Sequence, residues 1–411
     1  MSESNKYVAL DVGTSSVKIL MGQVHKDESH IIGVGQVPTK GMKKGVIVDM
    51  DATAQSIKQA VEQLERVTNE KVPDVILGVP AIDLQLLLTN GVVAVNSEEG
   101  EITDAELNRV LDSAALASIG KDRELMNVLG EEYIVDEYDE ITDPRGMIGR
   151  RLEVKGKVIT SPRTLVHNLV RCVNNAGIEI REMYAQPLVT GNYVLTNDEK
   201  ERSSAIVDIG GGTTTVSYYE YGRLMGSRVI PVGGDNITKD ISIILKTSMD
   251  DAKRLKVEYG HTFVDEASDE TFDVKIIGSD VVESYSQKFL AEIISARMEE
   301  LYELIMDELF NLSVRDLNGG IIFTGGTAQL NGLLQHTKEV FQTRVRIHIP
   351  TEIGVREPMY STALGLIHYA SEEDLFFNRV SHEMIYSQAP VAASQEQQAT
   401  TVEPKKEKKP K

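Results

Sequence analysis

The sequence predicts an α/β protein made of two domains of similar plan that face each other across a cleft, with a smaller unit inserted into the first. Three observations carry this prediction. An apolar run ending in aspartate, glycine and hydroxyl residues occurs near the start, Tyr7-Val8-Ala9-Leu10-Asp11-Val12-Gly13-Thr14-Ser15-Ser16, and again as Ala205-Ile206-Val207-Asp208-Ile209-Gly210-Gly211-Gly212-Thr213. A third run, Gly320-Ile321-Ile322-Phe323-Thr324-Gly325-Gly326-Thr327-Ala328, enters glycines without the acid. Between them, segments of helical period alternate with short apolar stretches. Repetition on this scale is a signal of fold.

Composition narrows the function. With 411 residues the chain has room for several folding units, and 41% hydrophobic content with no Trp is ordinary for a soluble protein. A formal charge of −20 excludes nucleic acid as the main partner, because phosphate backbones need a basic face. The single Cys172 cannot form an internal disulfide, and its neighbours Leu165, Val166, Leu169 and Val173 make it a buried structural thiol. The histidines show no metal-ligand spacing, so no zinc site is expected. The first residues lack a signal peptide, and no apolar run reaches the roughly 20 residues of a membrane span. A cytoplasmic protein is expected.

In order, residues 17–24 return from the first turn as a strand, and Ile31-Ile32-Gly33-Val34-Gly35 adds a third. Residues 51–68 carry Ile57, Val61, Leu64 and Val67 at helical spacing, with Asp51 as the expected N-cap. Val75-Ile76-Leu77-Gly78-Val79-Pro80 reads as a buried strand. From 83 to 161 the texture changes. Thr103 and Glu106 have capping-box spacing ahead of Leu107, Val110, Leu111 and Ala114, and 133–138 and 152–160 read as strands around the turn Asp143-Pro144-Arg145-Gly146. This insertion has no glycine-rich loop, so its expected work is contact with another protein or stabilisation.

A helix over 163–176 ends at Gly177, and after Gln186-Pro187 another runs to about 196. The charged stretch 197–202 is expected to link and hinge the halves. The second turn then returns as 214–220, a strand over 228–232 leads to Gly233-Gly234-Asp235, and a helix follows through Ile237, Ile241 and Leu245. Residues 253–277 form a second excursion. A long helix over 286–309 turns Phe289, Ile293, Ile294, Met298, Leu301, Ile305 and Leu309 inward, leaving Lys288 and Arg297 to solvent. A last helix spans 361–370. Residues 381–411 hold few large apolar groups, end in lysines, and are expected to be disordered.

The chemistry follows from the repeated turns. Two facing turns rich in N–H groups and hydroxyls grip a polyphosphate from both sides. Asp11 and Asp208 then hold Mg²⁺ and its waters between them, and Lys18 reaches the phosphates as a point charge. The glycines at 325 and 326 let backbone lie flat against a base or ribose. Neither a P-loop nor a dinucleotide fingerprint is present.

Gly13-Thr-Ser-Ser-Val-Lys18, Asp143-Pro-Arg-Gly146, Val207-Asp-Ile-Gly-Gly-Gly-Thr213, Gly319-Gly-Ile-Ile-Phe-Thr-Gly-Gly326 and Tyr360-Ser-Thr-Ala-Leu-Gly365 resemble the actin, sugar-kinase and DnaK-type superfamily and, within it, the bacterial cell-division family FtsA over about 6–380. The resemblance implies an actin-like (ribonuclease H-like) duplicated α/β fold around a nucleotide cleft. Residues 1–82 and 162–202 would form subdomain 1A, 83–161 the inserted subdomain 1C that MreB-like filaments lack, 203–232 and 319–380 subdomain 2A, and 233–318 subdomain 2B.

It further implies ATP and Mg²⁺. Asp11 and Asp208 would organise metal-bound water. Gly13, Thr14, Ser15, Ser16 and Lys18 would bind phosphates from one side and Gly210, Gly211, Gly212 and Thr213 from the other. Gly233, Gly234, Asp235, Lys253, Lys256, Gly325, Gly326 and Ala328 would surround ribose and adenine. Gln186 stands where relatives orient the attacking water. At Lys253 the family carries Glu, and an ammonium cannot accept from ribose hydroxyls as a carboxylate does.

The implied function is a filament-forming scaffold, with weak ATPase activity, that links FtsZ to the cytoplasmic membrane face at the division septum. The FtsZ C-terminal peptide would dock within 233–318, where Lys288 and Arg297 are candidate cations, and later division proteins would meet 83–161. The family ends in an amphipathic membrane helix whose apolar face 381–411 lacks, so truncation before that helix is expected. The rival readings are a pilus-assembly relative and a small-molecule kinase or phosphatase of the same fold.

Overall fold

The computed structural model describes residues 6–377 apart from 26, 27, 98, 117 and 118; the tail expected to be disordered, 381–411, lies outside the described residues. The first half opens as an antiparallel meander of β1 (Lys6–Val12), β2 (Ser16–His25) and β3 (Glu28–Pro38). A two-residue-per-strand hairpin, β4 (Met42–Lys43) and β5 (Val46–Ile47), leads to α1 (Met50–Thr68). The cap of α1 is Asp49 and not Asp51: the Asp49 carboxylate accepts from the Ala52 N–H at 3.0 Å, and Asp51 sits in the first turn, where its charge faces the positive helix end. β6 (Asp74–Val79) then joins β1 in parallel.

The inserted unit follows as β7 (Gln85–Ala94), α2 (Asp104–Ala115), β8 (Arg123–Val135), β9 (Tyr138–Ile141) and β10 (Arg151–Pro162), a sheet of order β7-β10-β8-β9. The capping box at Thr103 and Glu106 is present. Leu107, Val110 and Ala114 of α2 pack on Tyr133, Val135, Leu152 and Val154, which gives the unit its own core. The strand expected over 133–138 is broken. Asp136 takes a positive φ of 54°, and its carboxylate accepts from the N–H groups of Arg150 and Arg151, so the chain turns between β8 and β9.

The first half closes with α3 (Arg163–Asn175), β11 (Glu179–Ala185), α4 (Gln186–Val194) and the single turn α5 (Asn197–Lys200). Gly177 has φ +85° beyond α3, and Cys172 is fully buried. The charged stretch expected as a link is folded structure. Glu199 is buried, closes a capping box with Thr196, and accepts from the Arg346 guanidinium at 2.6 and 2.7 Å.

The second half repeats the first. β12 (Ser203–Ile209), β13 (Thr214–Glu220) and β14 (Arg223–Ile230) form a meander, with β14 starting five residues before the strand read from sequence. Next come α6 (Gly234–Ile244), α7 (Met249–Tyr259), the hairpin of β15 (Thr271–Lys275) and β16 (Val282–Ser286), and α8 (Gln287–Asn311). Six of the expected inward residues of α8 are buried. Phe289 is not: it is 37% exposed and stacks on Tyr285. Nor is Arg297 solvated as expected, because its guanidinium pairs with Asp240 at 2.6 and 3.0 Å. β17 (Gly320–Thr324), α9 (Leu333–Phe341), β18 (Val345–Ile347) and α10 (Ser361–Phe376) complete the described residues.

The duplication is now explicit. One sheet runs β3-β2-β1-β6-β11 and the other β14-β13-β12-β17-β18, each a meander continued by two parallel strands. β1 is apolar from Tyr7 to Leu10 because both its faces are covered. Val8, Leu10 and Val12 meet the core that includes Ile57 and Leu64 of α1, and Tyr7 and Ala9 meet Ala363, Leu364 and Ile367 of α10.

Candidate nucleotide cleft

Each half offers the cleft a four-residue turn of the same design. Gly13 N–H donates to Ser16 O at 3.1 Å in one, and Gly210 N–H to Thr213 O at 2.9 Å in the other. The strand registers then place Asp11 opposite Lys18 and Asp208 opposite Thr215. The turns touch. A Cβ on Gly211 would lie 1.7 Å from Ser15 Oγ, and one on Gly212 would lie 2.5 Å from Thr14 Cγ2, so glycine is required at both positions. Ser15 Oγ also donates to Asp235 Oδ2 at 2.8 Å across the cleft. Gly325 has φ +89°, and a Cβ there would fall 2.2 Å from Asp208 Oδ1.

Behind the turns lies a cavity of about 450 Å³. Its polar end holds Asp11, Gly13, Thr14, Ser15, Ser16, Lys18, Gln186, Asp208 and the 210–213 turn; Gly234, Asp235, Lys253, Lys256, Gly325 and Gly326 also line it. Two residues expected at the site do not line the cavity. Gly233 packs under the second turn, where a Cβ would meet Gly211 O at 2.5 Å, and Ala328 is buried in the core of the second half. Lys288 and Arg297 lie on α8, also outside the lining. Sequence reasoning passed over Thr215, Val257, Thr327, Met359 and Thr362, which do line it. Thr327 directly follows the third glycine pair, and its hydroxyl donates to Gly210 O at 2.9 Å. Thr362 sits inside the Tyr-Ser-Thr-Ala-Leu-Gly stretch.

The two carboxylates differ in their surroundings. Asp11 Oδ2 accepts from Lys18 Nζ at 2.9 Å and Oδ1 from Gln186 Nε2 at 2.9 Å. Burial, and then the negative charge of Asp11, pushes Asp208 up to about 6, against the opposing pull of Lys18 and a hydrogen bond from Thr362. Burial also brings Lys256 down to about 8, with Asp235 opposing and Lys253 adding to the fall, while its ammonium donates to Gly234 O at 2.7 Å.

Chemically, the polar end suits an anion carrying a divalent cation. The donors are hard carboxylate oxygens, and Asp208 has no cation opposite it in its own hairpin. Among the described residues no group of three or more His, Cys, Asp or Glu side chains could hold a metal ion alone. An ion here would therefore keep waters and share ligands with a phosphate, which is the habit of Mg²⁺. Val257, Leu330 and Met359 supply apolar surface in the same cavity, suited to the flat face of a base.

Comparison with known proteins identifies the family. A family model described as cell division protein FtsA matches residues 205–365, and one described as an SHS2 domain inserted in FtsA matches 83–160. The chain is 45% identical over 371 residues to the cell division protein FtsA of Bacillus subtilis (strain 168), covering 90% of this chain and 84% of that protein. Among solved structures it is similar to the PilM–PilN type IV pilus biogenesis complex, with a TM-score of 0.59, 15% identity and coverage of 88% of this chain and 98% of that one. It is also similar to MreB5 of Spiroplasma citri bound to ADP, with a TM-score of 0.56, 15% identity and coverage of 91% and 99%. These structural likenesses establish an actin-like fold, and the sequence matches go further: the chain belongs to the FtsA family of cell-division proteins.

Proposed function

We propose that this chain is a nucleotide-dependent cell-division scaffold that binds ATP with Mg²⁺ in the cleft, assembles with copies of itself, and anchors FtsZ filaments to the cytoplasmic membrane face at the septum. The observation that carries the nucleotide reading is the pair of matched turns, which bring Asp11 and Asp208 into one cavity with Lys18 between strand and phosphate site. Gly13, Thr14, Ser15 and Ser16 would hold phosphates on one face, and Gly210 to Thr213 on the other. Asp11 and Asp208 would hold the cation through its waters. When bound, Mg²⁺ supplies neutralisation of phosphate charge and polarisation of a bound water. Gln186, fixed to Asp11 through its amide N–H, keeps a carbonyl oxygen suited to orienting that water. Lys256 and Lys253 would meet the ribose side, with Lys donating where the family's Glu accepts.

Membership of a cell-division family supports the scaffold reading over a metabolic kinase, and the insertion at 83–160 supports it over a pilus-assembly role. Among the described residues no helix is long and apolar enough to cross a membrane. For an acidic FtsZ peptide, Lys288 on α8 is exposed, whereas Arg297 would first have to leave Asp240. Subdomain boundaries at 82/83, 161/162, 202/203, 232/233 and 318/319 follow the same reading.

The test is a pull-down of the chain on immobilised FtsZ C-terminal peptide with ATP–Mg²⁺, with ATP–EDTA and without nucleotide, alongside calorimetric titration with ATP. Retention on the peptide together with Mg²⁺-dependent ATP binding is expected. Absence of ATP binding in Mg²⁺ would overturn the cleft assignment, and sugar-stimulated ATP turnover would favour the kinase.

A further inference from the structure

The turn Asp143-Pro144-Arg145-Gly146 takes no part in the cleft. It lies between β9 and β10 of the inserted unit, yet its arginine reaches the end of α10. The Arg145 guanidinium is held from its own side by Asp143, at 2.7 and 2.9 Å, and by Asp104 at the start of α2, at 3.4 Å. Its Nη1 also donates to the carbonyl oxygen of Phe376 at 2.5 Å, and the guanidinium carbon sits 4.4 Å from the centre of the Phe376 ring. Phe376 is the last residue of α10. The next residue, Phe377, packs against the core of the inserted unit and meets the Phe376 ring edge-on at 5.0 Å.

The last carbonyls of a helix have no partner within it, and the helix ends at its negative pole. α10 has no basic residue in its own last turn. Arg145 therefore satisfies a terminal carbonyl and brings the missing positive charge from outside the helix, while its flat face stacks on an aromatic ring. On its other side the same helix turn is held by Asp374, which accepts from Arg181 at 2.6 Å and from Tyr7 at 3.1 Å. The end of α10 is thus fastened both to the first-half sheet and to the inserted unit.

We propose that the 143–146 turn is a docking clamp for the chain's own C-terminal segment. It caps α10 from the inserted unit and seats Phe377 on that unit's core, so that the end of α10 and the insertion share one orientation. The clamp is independent of the cleft and of what binds there.

Hydrogen–deuterium exchange on the full chain tests it. Arg145→Met should accelerate exchange of the amides at 374–377 about tenfold while leaving calorimetric nucleotide binding unchanged. Phe377→Ala keeps every ion pair of Arg145 and should raise exchange at 374–377 in the same way. Unchanged protection at 374–377 in both variants overturns the proposal. If Arg145→Met instead loosens β8 and β10, Phe377→Ala decides: faster exchange at 374–377 upholds the clamp, and unchanged exchange reduces Arg145 to a brace for its own turn.

Discussion

The two cleft turns share length, hydrogen bonding and strand order, and they differ in the residue that faces each acid across its hairpin. Opposite Asp11 stands Lys18; opposite Asp208 stands Thr215. The first acid is accordingly tied into an ion pair and an amide hydrogen bond, and the second has its proton affinity raised by burial and by its neighbour's charge. Duplication has produced one carboxylate that is already neutralised and one that gains from a cation. The lesson is that matching backbone frames can give their two acids different surroundings, one paired with a cation across its hairpin and one buried without such a partner.

Substitution of the acids in turn should break the comparison most sharply, because the stability effects have opposite signs. Asp11→Asn leaves the buried Lys18 ammonium without its counter-charge and should destabilise the protein by roughly 3 kcal/mol in denaturant unfolding. Asp208→Asn removes a penalty. With a folded value of about 6 against 3.8 in the unfolded chain, Asp208 holds its proton in the folded state between those values, so stability falls as pH rises through that window and the loss is complete above 6. The asparagine should therefore raise the melting temperature of nucleotide-free protein at pH 7.5 by roughly 2–4 °C. Both variants should lose Mg²⁺-dependent ATP binding in calorimetry.

Thr215→Lys sharpens the comparison by making the second turn like the first. A cation opposite Asp208 competes with the metal, and Mg²⁺ affinity in the presence of ATP should weaken about tenfold. In the unaltered protein, Mg²⁺ affinity should fall as pH drops through about 6, where Asp208 takes up a proton; in Thr215→Lys that step should move to lower pH. A titration series from pH 5 to 8 reads both.

The smallest effect belongs to Lys256. Lys256 loses its proton near 8, so nucleotide affinity should decline several-fold between pH 7 and 9. Lys256→Met should bind more weakly at pH 7 and show a flatter profile over the same range.

Much of the frame was legible because its signals are local. Apolar runs ending in Asp and Gly marked β1, β12 and both turns, and helical spacing marked α1, α3 and α8. What escaped lacks a local signature. β7 exposes residues along both faces, so its alternation is faint. Asp136 turns the chain inside an otherwise alternating stretch. Arg297 with Asp240, and Glu199 with Arg346, pair across 57 and 147 positions, and no spacing rule reports such partners. Within the cleft, the acids and glycines could be named from sequence, whereas Thr215, Thr327 and Thr362 are common hydroxyl residues that acquire their place only through strand register and packing.

The meeting of Thr14 and Ser15 with Gly211 and Gly212 has a mechanical consequence. At the turns small hydroxyl side chains rest on bare backbone, and Ser15 Oγ reaches Asp235 across the cleft. Behind the turns the halves are joined by larger groups: Tyr219 is buried with its ring against Gly191, and its hydroxyl donates to Pro187 O at 2.6 Å. The turns therefore act as a facing at the mouth of a joint: they set how closely the two halves approach there, while the buried contact behind them keeps the halves together.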